Sequence, residues 1–285
     1  MNRNLYLHPS IIKPMAAERI YLLELGWLGG DIGWFLPGAA GGALTQSNRS
    51  PKREWVEIPV TAALVQHRDG YVLFDTGIAQ DAMQTHSKGL MDVFPIIRFS
   101  EENRIERQLA QVGIRPEDVS FVVISHLHLD HIGQATPFRD AKVPIIVQKR
   151  ELQYALYMLW QGKGGAYDMA DLEPLRGANW VPIEDHLFQL LEGVEIEFTG
   201  GHTPGHQVMH VSTKAGNNYT FTGDYLHIPQ EYELEAKGWL LSDADEWHAY
   251  IRKLKVRERA RRAKIVLGHD PGLWSKYPKA PKALE

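Results

Sequence analysis

The segment 125–131, SHLHLDH, places three histidines and an aspartate within six positions, directly after the apolar run VSFVVIS. Such a run is typical of a strand buried on both faces. Alternate residues of an extended segment point the same way, so His126 and His128 can meet one metal ion. Asp130 and His131 are adjacent and must diverge, which suits a second ion. A catalytic zinc needs about three protein ligands, so this segment needs partners from elsewhere in the chain.

Further ligand-type side chains follow three other predicted strands or turns. His202 stands in GGHTPGH, Asp224 ends FTGD, and His269 lies in VLGHD. A carboxylate such as that of Asp224 can bridge two ions. Packing alone does not easily explain seven such side chains at four strand ends. The sequence therefore predicts a metal site with two ions, assembled from four parts of the chain.

The composition narrows the classes of function. None of the 285 residues is cysteine, which excludes disulfides, thiolate metal sites and cysteine nucleophiles. The net charge of −4 is a poor basis for binding nucleic acid. We find no apolar run of the length that a signal peptide or a membrane span requires. We therefore expect a cytoplasmic protein without a nucleic-acid or membrane partner.

Strand-like and helix-like signals occur in both halves of the chain. They predict sheets covered by helices in a single domain over 1–285, with an N-terminal extension at about 1–18. The glycine-rich segment 25–44 is expected to be an irregular loop, since it lacks a phosphate-loop or dinucleotide signature. The predicted strands are 19–25, 55–65, 71–77, 119–125, 143–148, 193–200, 206–212, 218–224 and 263–269.

Two helices are predicted from periodicity and capping. One spans 100–113, where Ser100 can cap the first turn and Gly113 can end the helix. The other follows SDADEW and continues through the basic run 251–264. Its acidic first turn and basic last turn suit the helix dipole, and apolar residues at helical spacing predict one buried face.

Several motifs of the chain together resemble those of one protein family. The chain resembles metallo-β-lactamase-fold hydrolases, and most of all the N-acyl-homoserine lactonases, in EIPVTAALVQHRDGYVLFDTG, SHLHLDHIG, VPIIVQKREL, GGHTPGHQ, FTGD and IVLGHD. These motifs occur in family order between about 19 and 272. The resemblance implies an α/β fold, the four-layer αβ/βα sandwich of the metallo-β-lactamase fold.

The resemblance also implies two divalent metal ions per chain, usually zinc, with manganese, iron or cobalt able to serve. In this resemblance the first ion is held by His126, His128 and His202. The second ion is held by Asp130, His131 and His269, and Asp224 bridges both ions. It implies that Asp75 and His206 orient these ligands from behind. For Asp75, a simple turn cap before Gly77 is the alternative.

The activity that the resemblance implies is opening of the lactone ring of N-acyl-homoserine lactones by a hydroxide shared between the two ions. Asp130 would then pass a proton to the leaving alkoxide. The best-known lactonases place a tyrosine three residues after the bridging aspartate, where it touches the substrate carbonyl, but His227 stands there in this chain. This histidine could donate a hydrogen bond or proton to the substrate, or simply pack beside the site.

A histidine at this position is similar to aryl-ester and organophosphate hydrolases of the same fold. The alternative function is therefore a metal-dependent aryl-ester, organophosphate or thioester hydrolase. A non-catalytic metal-binding module is disfavoured by the complete ligand set. The apolar segments 25–44 and 154–177 are expected to line the acyl pocket. Segment 78–99 lengthens a loop that lies at the dimer contact in similar lactonases, which implies a homodimer.

Overall fold

The computed structural model describes residues 16–37, 46–47, 49 and 54–284. Most of the predicted N-terminal extension and the second part of the predicted loop 25–44 lie outside these residues. The strands are β1 (Arg19–Asp31), β2 (Trp55–His67), β3 (Gly70–Phe74), β4 (Ile96–Arg98), β5 (Val119–Val123), β6 (Ile145–Gln148), β7 (Trp180–Ile183), β8 (Leu187–Leu191), β9 (Val194–Phe198), β10 (Gln207–Ser212), β11 (Asn218–Phe221), β12 (Ala263–Val266) and β13 (Ala283–Leu284).

The α-helices are mostly short and lie on the outside of the strands. They are α1 (Ala82–Thr85), α2 (Lys88–Val93), α3 (Ile105–Gln111), α4 (Leu129–Ile132), α5 (Thr136–Asp140), α6 (Lys149–Trp160), α7 (Met169–Leu172), α8 (Pro229–Leu234), α9 (Ala244–Arg261) and α10 (Pro271–Trp274). Within the described ranges, no helix is long and apolar enough to cross a bilayer.

The strands form two mixed sheets. The first has the order β13-β1-β2-β3-β5-β6-β7, with β4 paired to β1, and the second has the order β12-β11-β10-β9-β8. Strands β3, β5, β6 and β7 are parallel neighbours, as are β11 and β12. Parallel neighbours end at the same edge of a sheet, so the segments after β3 and β5 meet at one edge. The segments after β11 and β12 meet likewise at the edge of the second sheet.

The two sheets pack face to face. Ile20 and Phe74 of the first sheet share one buried cluster with Met209 and Phe221 of the second. Because side chains alternate along a strand, the next residue of β1, Tyr21, belongs to a different cluster on the opposite face. Each strand in the middle of the first sheet therefore contributes to two cores.

Helices cover the outer faces of both sheets. Leu64 of β2 is buried together with Leu109 of α3, and Val208 of β10 is buried together with Trp247 and Ile251 of α9. The buried stripe predicted for the basic helix is thus confirmed. The layers run helix, sheet, sheet, helix, which confirms the predicted αβ/βα sandwich.

The prediction that 25–44 is an irregular loop is wrong for its first part, because β1 continues to Asp31. The register against β2 shifts between Glu24 and Trp27, where Gly26 has φ +118°. A Cβ on Gly29 would lie 2.5 Å from the Trp55 ring. The glycines therefore permit a bulge and a close ring contact within a strand.

The predicted helix 100–113 is also shorter than expected, since α3 begins at Ile105. Ser100 caps only a 3-10 turn, in which its backbone N–H donates to Asn103 Oδ1 at 2.8 Å. The backbone of Arg104 is extended. The N–H of Ile105 then donates to Gln134 Oε1 at 2.8 Å, so a tertiary contact decides where the α-helix starts.

A buried carboxylate fastens α9 to the second sheet. Glu197 of β9 accepts hydrogen bonds from Tyr250 Oη at 2.8 Å and from His210 Nε2 at 2.9 Å, and it pairs with Lys253. Burial alone would raise the pKa of Glu197, but the bonds from His210, Lys253 and Tyr250 lower it from an ordinary 4.5 to about 2. The native state therefore favours the charged form.

We expect Glu197 to make the free energy of unfolding depend on pH in the acid range. Because the folded pKa lies below the unfolded one, Glu197 stabilises the protein fully above about pH 4.5. This contribution, on the order of 3 kcal/mol, is lost as the pH falls through 4.5 towards 2. Urea unfolding at pH 7, 5 and 3 should show a flatter pH dependence for Glu197→Gln than for the unsubstituted protein. Glu233→Gln, at an exposed position, is the control, and parallel curves for all three proteins would contradict the expectation.

Candidate metal centre

Asp75, just past β3, connects two of the segments that carry candidate ligands. Its carboxylate accepts from the Ser125 backbone N–H at 2.7 Å and the Ser125 hydroxyl at 2.8 Å, and it lies 2.8 Å from His131 Nδ1. Asp75 has φ +64°, a conformation that costs a non-glycine residue energy. The buried hydrogen bonds hold it there. Asp75 thus lies behind the candidate ligand His131, and the orienting role that the resemblance implies for it stays a prediction.

The histidines after β5 lie side by side. The rings of His126 and His128 are 4.4 Å apart between centroids. His128 then precedes α4, whose first turn carries Asp130 and His131. The expected divergence of Asp130 and His131 is wrong, because Asp130 Oδ1 lies 3.7 Å from His131 Nε2 and both side chains belong to the second group of ligand atoms. The His131 ring also remains close to the first pair, at 4.1 Å from the His126 ring between centroids.

His202 joins the first two histidines from the loop before β10. Its Nε2 lies 3.1 Å from His126 Nε2 and 3.2 Å from His128 Nδ1. Burial lowers the pKa of His202 and His126 and brings that of His128 to about 4. The three imidazoles are therefore neutral near pH 7, with nitrogen atoms converging on one point. These atoms and a carboxylate oxygen of Asp224 all lie within 4.8 Å of one another.

Asp130, His131 and His269 form a second group, which also meets the 4.8 Å criterion. His269 Nε2 lies 3.5 Å from Asp130 Oδ2, and His131 Nε2 lies 3.7 Å from Asp130 Oδ1. His269 comes from the end of β12, in the other sheet. The second group therefore forms only when the two sheets pack together.

Asp224 lies between the two groups, with one oxygen towards each. Its Oδ1 is 2.9 Å from His131 Nε2 and 2.8 Å from His269 Nε2. Its Oδ2 is 3.4 Å from His202 Nε2 and 3.7 Å from His126 Nε2. Burial would raise the pKa of Asp224, but the surrounding imidazoles hold it well below the usual range. A permanently charged carboxylate is thus shared by the two groups.

Backbone carbonyls orient two of the candidate ligands. His202 Nδ1 lies 3.0 Å from Leu240 O, and His269 Nδ1 lies 2.8 Å from Pro59 O. A carbonyl only accepts, so Nδ1 carries a proton in each ring, and Nε2 is the nitrogen that faces the site. The Asp75 carboxylate acts in the same way on His131. Such outer contacts are typical of histidine metal ligands.

The carboxylates in and beside the second group favour positive charge at that position. Burial opposes protonation of His131 and His269, yet Asp224 and the neighbouring carboxylates raise the pKa of both. His131 Nε2 is buried 2.9 Å from Asp224 Oδ1 and 3.7 Å from Asp130 Oδ1, and within the described residues it makes no well-formed hydrogen bond. An unpartnered nitrogen in an electronegative pocket fits a divalent cation. The residues present therefore fit the metal ions that the resemblance implies.

The remaining predicted residues, His206 and His227, also lie at this centre. His206 Nδ1 is 2.8 Å from Thr199 Oγ1, and its Nε2 has no hydrogen-bond partner among the residues that the structure describes. Its ring packs against His126 at 5.2 Å between centroids. Any orienting effect of His206 on that ligand therefore acts through packing. His227 Nε2 lies 3.1 Å from Asp224 Oδ2.

Glu151 was not singled out from the sequence, although it stands in the quoted motif VPIIVQKREL. It is fully buried, and its Oε1 accepts from the Leu127 N–H at 3.0 Å and the Tyr167 hydroxyl at 2.9 Å. Its Oε2 accepts from the Gly205 N–H at 3.0 Å. A Cβ on Gly205 would lie 2.2 Å from the Glu151 backbone nitrogen. One carboxylate thus joins the loop of the first two histidines to the loop of the third.

An apolar cavity of about 470 Å³ opens onto His128 and His202. Its volume lies within the range of small-molecule sites. Segments 25–44 and 154–177 contribute to its wall, as the sequence predicts, and α2 and the segment before α9 contribute as well. Its larger apolar lining residues are Trp34, Leu90, Val93, Phe94, Tyr154, Met158, Tyr167, Trp239, Leu240 and Leu241.

A smaller cavity lies deeper, against the metal-binding groups. Its polar lining residues are His128, Asp130, Asp224, His227 and His269. His128 lines both cavities. The volume of this inner cavity is about 20 Å³, which suits an ion or a water molecule. A substrate in the larger cavity can therefore place its polar end next to these groups, at His128.

The fold and the paired histidine–aspartate groups together define a metal-dependent protein of the metallo-β-lactamase type. The model of the Metallo-beta-lactamase superfamily matches residues 55–269, and the chain belongs to this family. Divalent metal ions at this centre follow from the family and from the donor set.

Curated relatives and solved structures place the chain more closely. It is 33% identical to the N-acyl homoserine lactonase AttM of Azorhizobium caulinodans over 79% of this chain and 87% of that one. It is 28% identical to the N-acyl homoserine lactonase AiiA of Bacillus thuringiensis subsp. kurstaki over 75% of this chain and 82% of that one. A solved N-acyl homoserine lactone hydrolase, with the product N-hexanoyl-L-homoserine at its catalytic metal centre, superposes with a TM-score of 0.77 at 26% identity, covering 95% and 100% of the two chains.

We expect Glu151→Ala to loosen the metal centre. Each buried donor left unpaired costs about 1–3 kcal/mol, so the free energy of unfolding should fall by at least about 2 kcal/mol. Metal retained after dialysis should fall as well, because the two ligand loops lose their common anchor. Glu151→Gln keeps one acceptor oxygen, so its stability and metal content should lie between those of Glu151→Ala and the unsubstituted protein. Urea unfolding and elemental analysis measure both effects, and Glu151→Ala with unchanged stability and metal content would contradict the role of Glu151.

Proposed function

We propose that this protein is an N-acyl-homoserine lactonase that uses two divalent metal ions. The observation that carries the proposal is Asp224, whose two oxygens face two separate groups of buried ligand atoms beneath an apolar cavity. An acyl-homoserine lactone has a polar ring and amide joined to an apolar tail, which matches a large apolar cavity that ends at the polar metal-binding groups. The named activity of similar proteins supports the same substrate.

We assign the ions to the two groups of side chains described above. The first would be held by His126, His128 and His202, the second by Asp130, His131 and His269, and Asp224 would contact both. Nitrogen and carboxylate ligands without thiolate suit zinc, and manganese, iron or cobalt are compatible. When bound, such ions polarise a carbonyl and lower the pKa of water to near 7.

The chain itself contributes binding and proton transfer. The large cavity would hold the acyl tail, with Trp34 and Trp239 among its walls. Asp130 and His227 line the small inner cavity beside Asp224, and the ring ester would lie next to it, at the inner end of the large cavity. Asp130 would hold the proton that the leaving alkoxide takes up when the ring C–O bond breaks. His227 Nε2 would contact a substrate oxygen.

A second candidate function is hydrolysis of aryl esters, thioesters or phosphotriesters at the same centre. The observation that favours it is His227 in the wall of the inner cavity, since this residue departs from the tyrosine expected in lactonases. The expected homodimer and the expected cytoplasmic location stay predictions.

We expect Asp224→Asn to lower kcat/KM by more than about 100-fold, since metal ions at such sites supply several kcal/mol of transition-state stabilisation. The amide loses the charge that both groups share, so metal content should fall below that of the unsubstituted protein, for which about two ions per chain are expected. Asp185→Asn, on an exposed turn, should change neither value. A metal-free preparation with full hydrolase activity would overturn the proposal.

The substrate assignment is tested by a panel on metal-replete protein. Acid release from acyl-homoserine lactones should exceed turnover of aryl esters, phosphotriesters and lactoylglutathione in kcat/KM. Longer acyl chains should lower KM, because more apolar surface is buried in the cavity. Turnover of another class that is faster by about 100-fold, or some 2.7 kcal/mol, would favour the second candidate.

A further inference from the structure

Behind the metal centre, a lysine and a glutamate contact the ring of His227. The side chains of Lys237, Glu231 and His227 are each 1% exposed or less. Glu231 Oε1 lies 3.0 Å from His227 Nδ1, and Lys237 Nζ lies 2.8 Å from the same atom. Taking charges out of water is costly unless they are paired. A charged pair aimed at one ring nitrogen therefore requires an explanation beyond packing.

The chain is turned sharply to place this lysine. Helix α8 ends at Leu234, and the next residue, Glu235, has φ +48°. Three residues after Glu235, the Gly238 N–H donates to Phe35 O at 2.7 Å, and a Cβ on Gly238 would lie 2.5 Å from the carbonyl oxygens of Gly33 and Trp34. Lys237 is therefore held between a left-handed turn and a close backbone contact, with its side chain directed inward.

Lys237 has three protons and four neighbours. Its Nζ lies 2.6 Å from Asp224 O, 3.1 Å from Tyr225 O, 3.1 Å from Glu231 Oε1 and 2.8 Å from His227 Nδ1. An ammonium group donates and never accepts. A short contact from Nζ to Nδ1 is favourable only when Nδ1 is an unprotonated acceptor. The two shortest contacts are those to Asp224 O and His227 Nδ1.

The other ring nitrogen leads to the same answer. His227 Nε2 lies 3.1 Å from Asp224 Oδ2, and a carboxylate oxygen requires a donor opposite it. With the proton on Nε2, the ring contacts to Lys237 and Asp224 each pair a donor with an acceptor, and the contact of Nδ1 to Glu231 Oε1 at 3.0 Å is left without a proton between its atoms. With the proton on Nδ1, Glu231 would gain a donor, but the ammonium would face an N–H and the Asp224 carboxylate would face a lone pair. A doubly protonated ring would place a second cation 2.8 Å from Lys237 Nζ.

Glu231 is satisfied without the ring. Its Oε2 accepts from the backbone N–H groups of His227 and Ile228, and its Oε1 pairs with Lys237 at 3.1 Å. Glu231 therefore anchors the turn and the ammonium group, and the ammonium group acts on the ring.

We propose that Lys237 is a positioning residue that holds His227 in the Nε2–H tautomer, so that a neutral N–H donor faces Asp224 Oδ2 and the inner cavity. The inference rests on the proposed function only for its consequence, namely that this N–H serves the substrate oxygen during hydrolysis. The tautomer itself is a property of the chain in the absence of substrate.

The decisive measurement is long-range proton–nitrogen NMR of zinc-loaded protein labelled with 15N-histidine. The His227 resonances are identified as those absent from the His227→Gln spectrum. The inference expects a protonated Nε2 and an unprotonated Nδ1. Protonation of Nδ1, alone or together with Nε2, overturns it, and this measurement requires no variant of Lys237.

Two substitutions separate Lys237 from Glu231. Lys237→Met removes the donor and leaves Glu231 Oε1 as an acceptor, so the tautomer should switch to Nδ1–H. Glu231→Gln keeps an amide oxygen for the backbone donors and should leave Nε2–H in place. A switch caused by Glu231→Gln, or no switch in a folded Lys237→Met, overturns the role of Lys237. If Lys237→Met does not fold, the unsubstituted protein and Glu231→Gln decide.

Kinetics test the consequence for the reaction. Lys237→Met should lower kcat by about 10-fold or more with KM within about twofold, at unchanged metal content. Lys214→Met, whose ammonium pairs with Glu18 on the surface, should change neither value. A protein with the expected tautomer and no lactonase activity would contradict the proposed function alone. An active lactonase with protonated Nδ1 would contradict this inference alone.

Discussion

The whole metal centre depends on the buried carboxylate of Asp224, whose two oxygens face different groups of ligand atoms. Asp224 can remain charged in the interior only because imidazoles surround it, and its Oδ1 and Oδ2 face different sets of them. A buried charge without such partners would be neutralised by a shifted pKa. Since the ligands around Asp224 come from both sheets, the packing of the sandwich and the assembly of the metal centre are one requirement.

Other buried carboxylates are also surrounded by hydrogen-bond donors, and they lie behind the candidate metal ligands. Asp75 holds His131 and the end of β5 in place, and Glu151 joins the two loops that carry the first group of ligands. Glu231 and Lys237 form a further layer behind His227. Each of these charges is paired or accepts several hydrogen bonds, as burial requires. The rigidity of the site therefore comes from outer contacts that are polar, beside a substrate cavity that is largely apolar.

Much of the fold could be predicted from the sequence, and the failures have local physical causes. Alternation and apolar runs located the main strands, because burial acts on single residues at a period of two. The glycine-rich continuation of β1 was missed because its glycines serve a bulge and the Trp55 ring, which lie on a partner strand. The start of α3 was missed because Gln134, from another segment, accepts the first N–H.

By itself, the sequence determined the chemistry of the centre: histidine and aspartate donors after strands, without thiolates, in an order that resembles one family. It could do so because ligand type and spacing are local. The tertiary structure decided which oxygen of Asp224 serves which group, the shape of the two cavities, and the parts played by Glu151 and Lys237. Those contacts join segments that are distant in the chain, and the energy of a buried charge depends on the neighbours that folding brings to it.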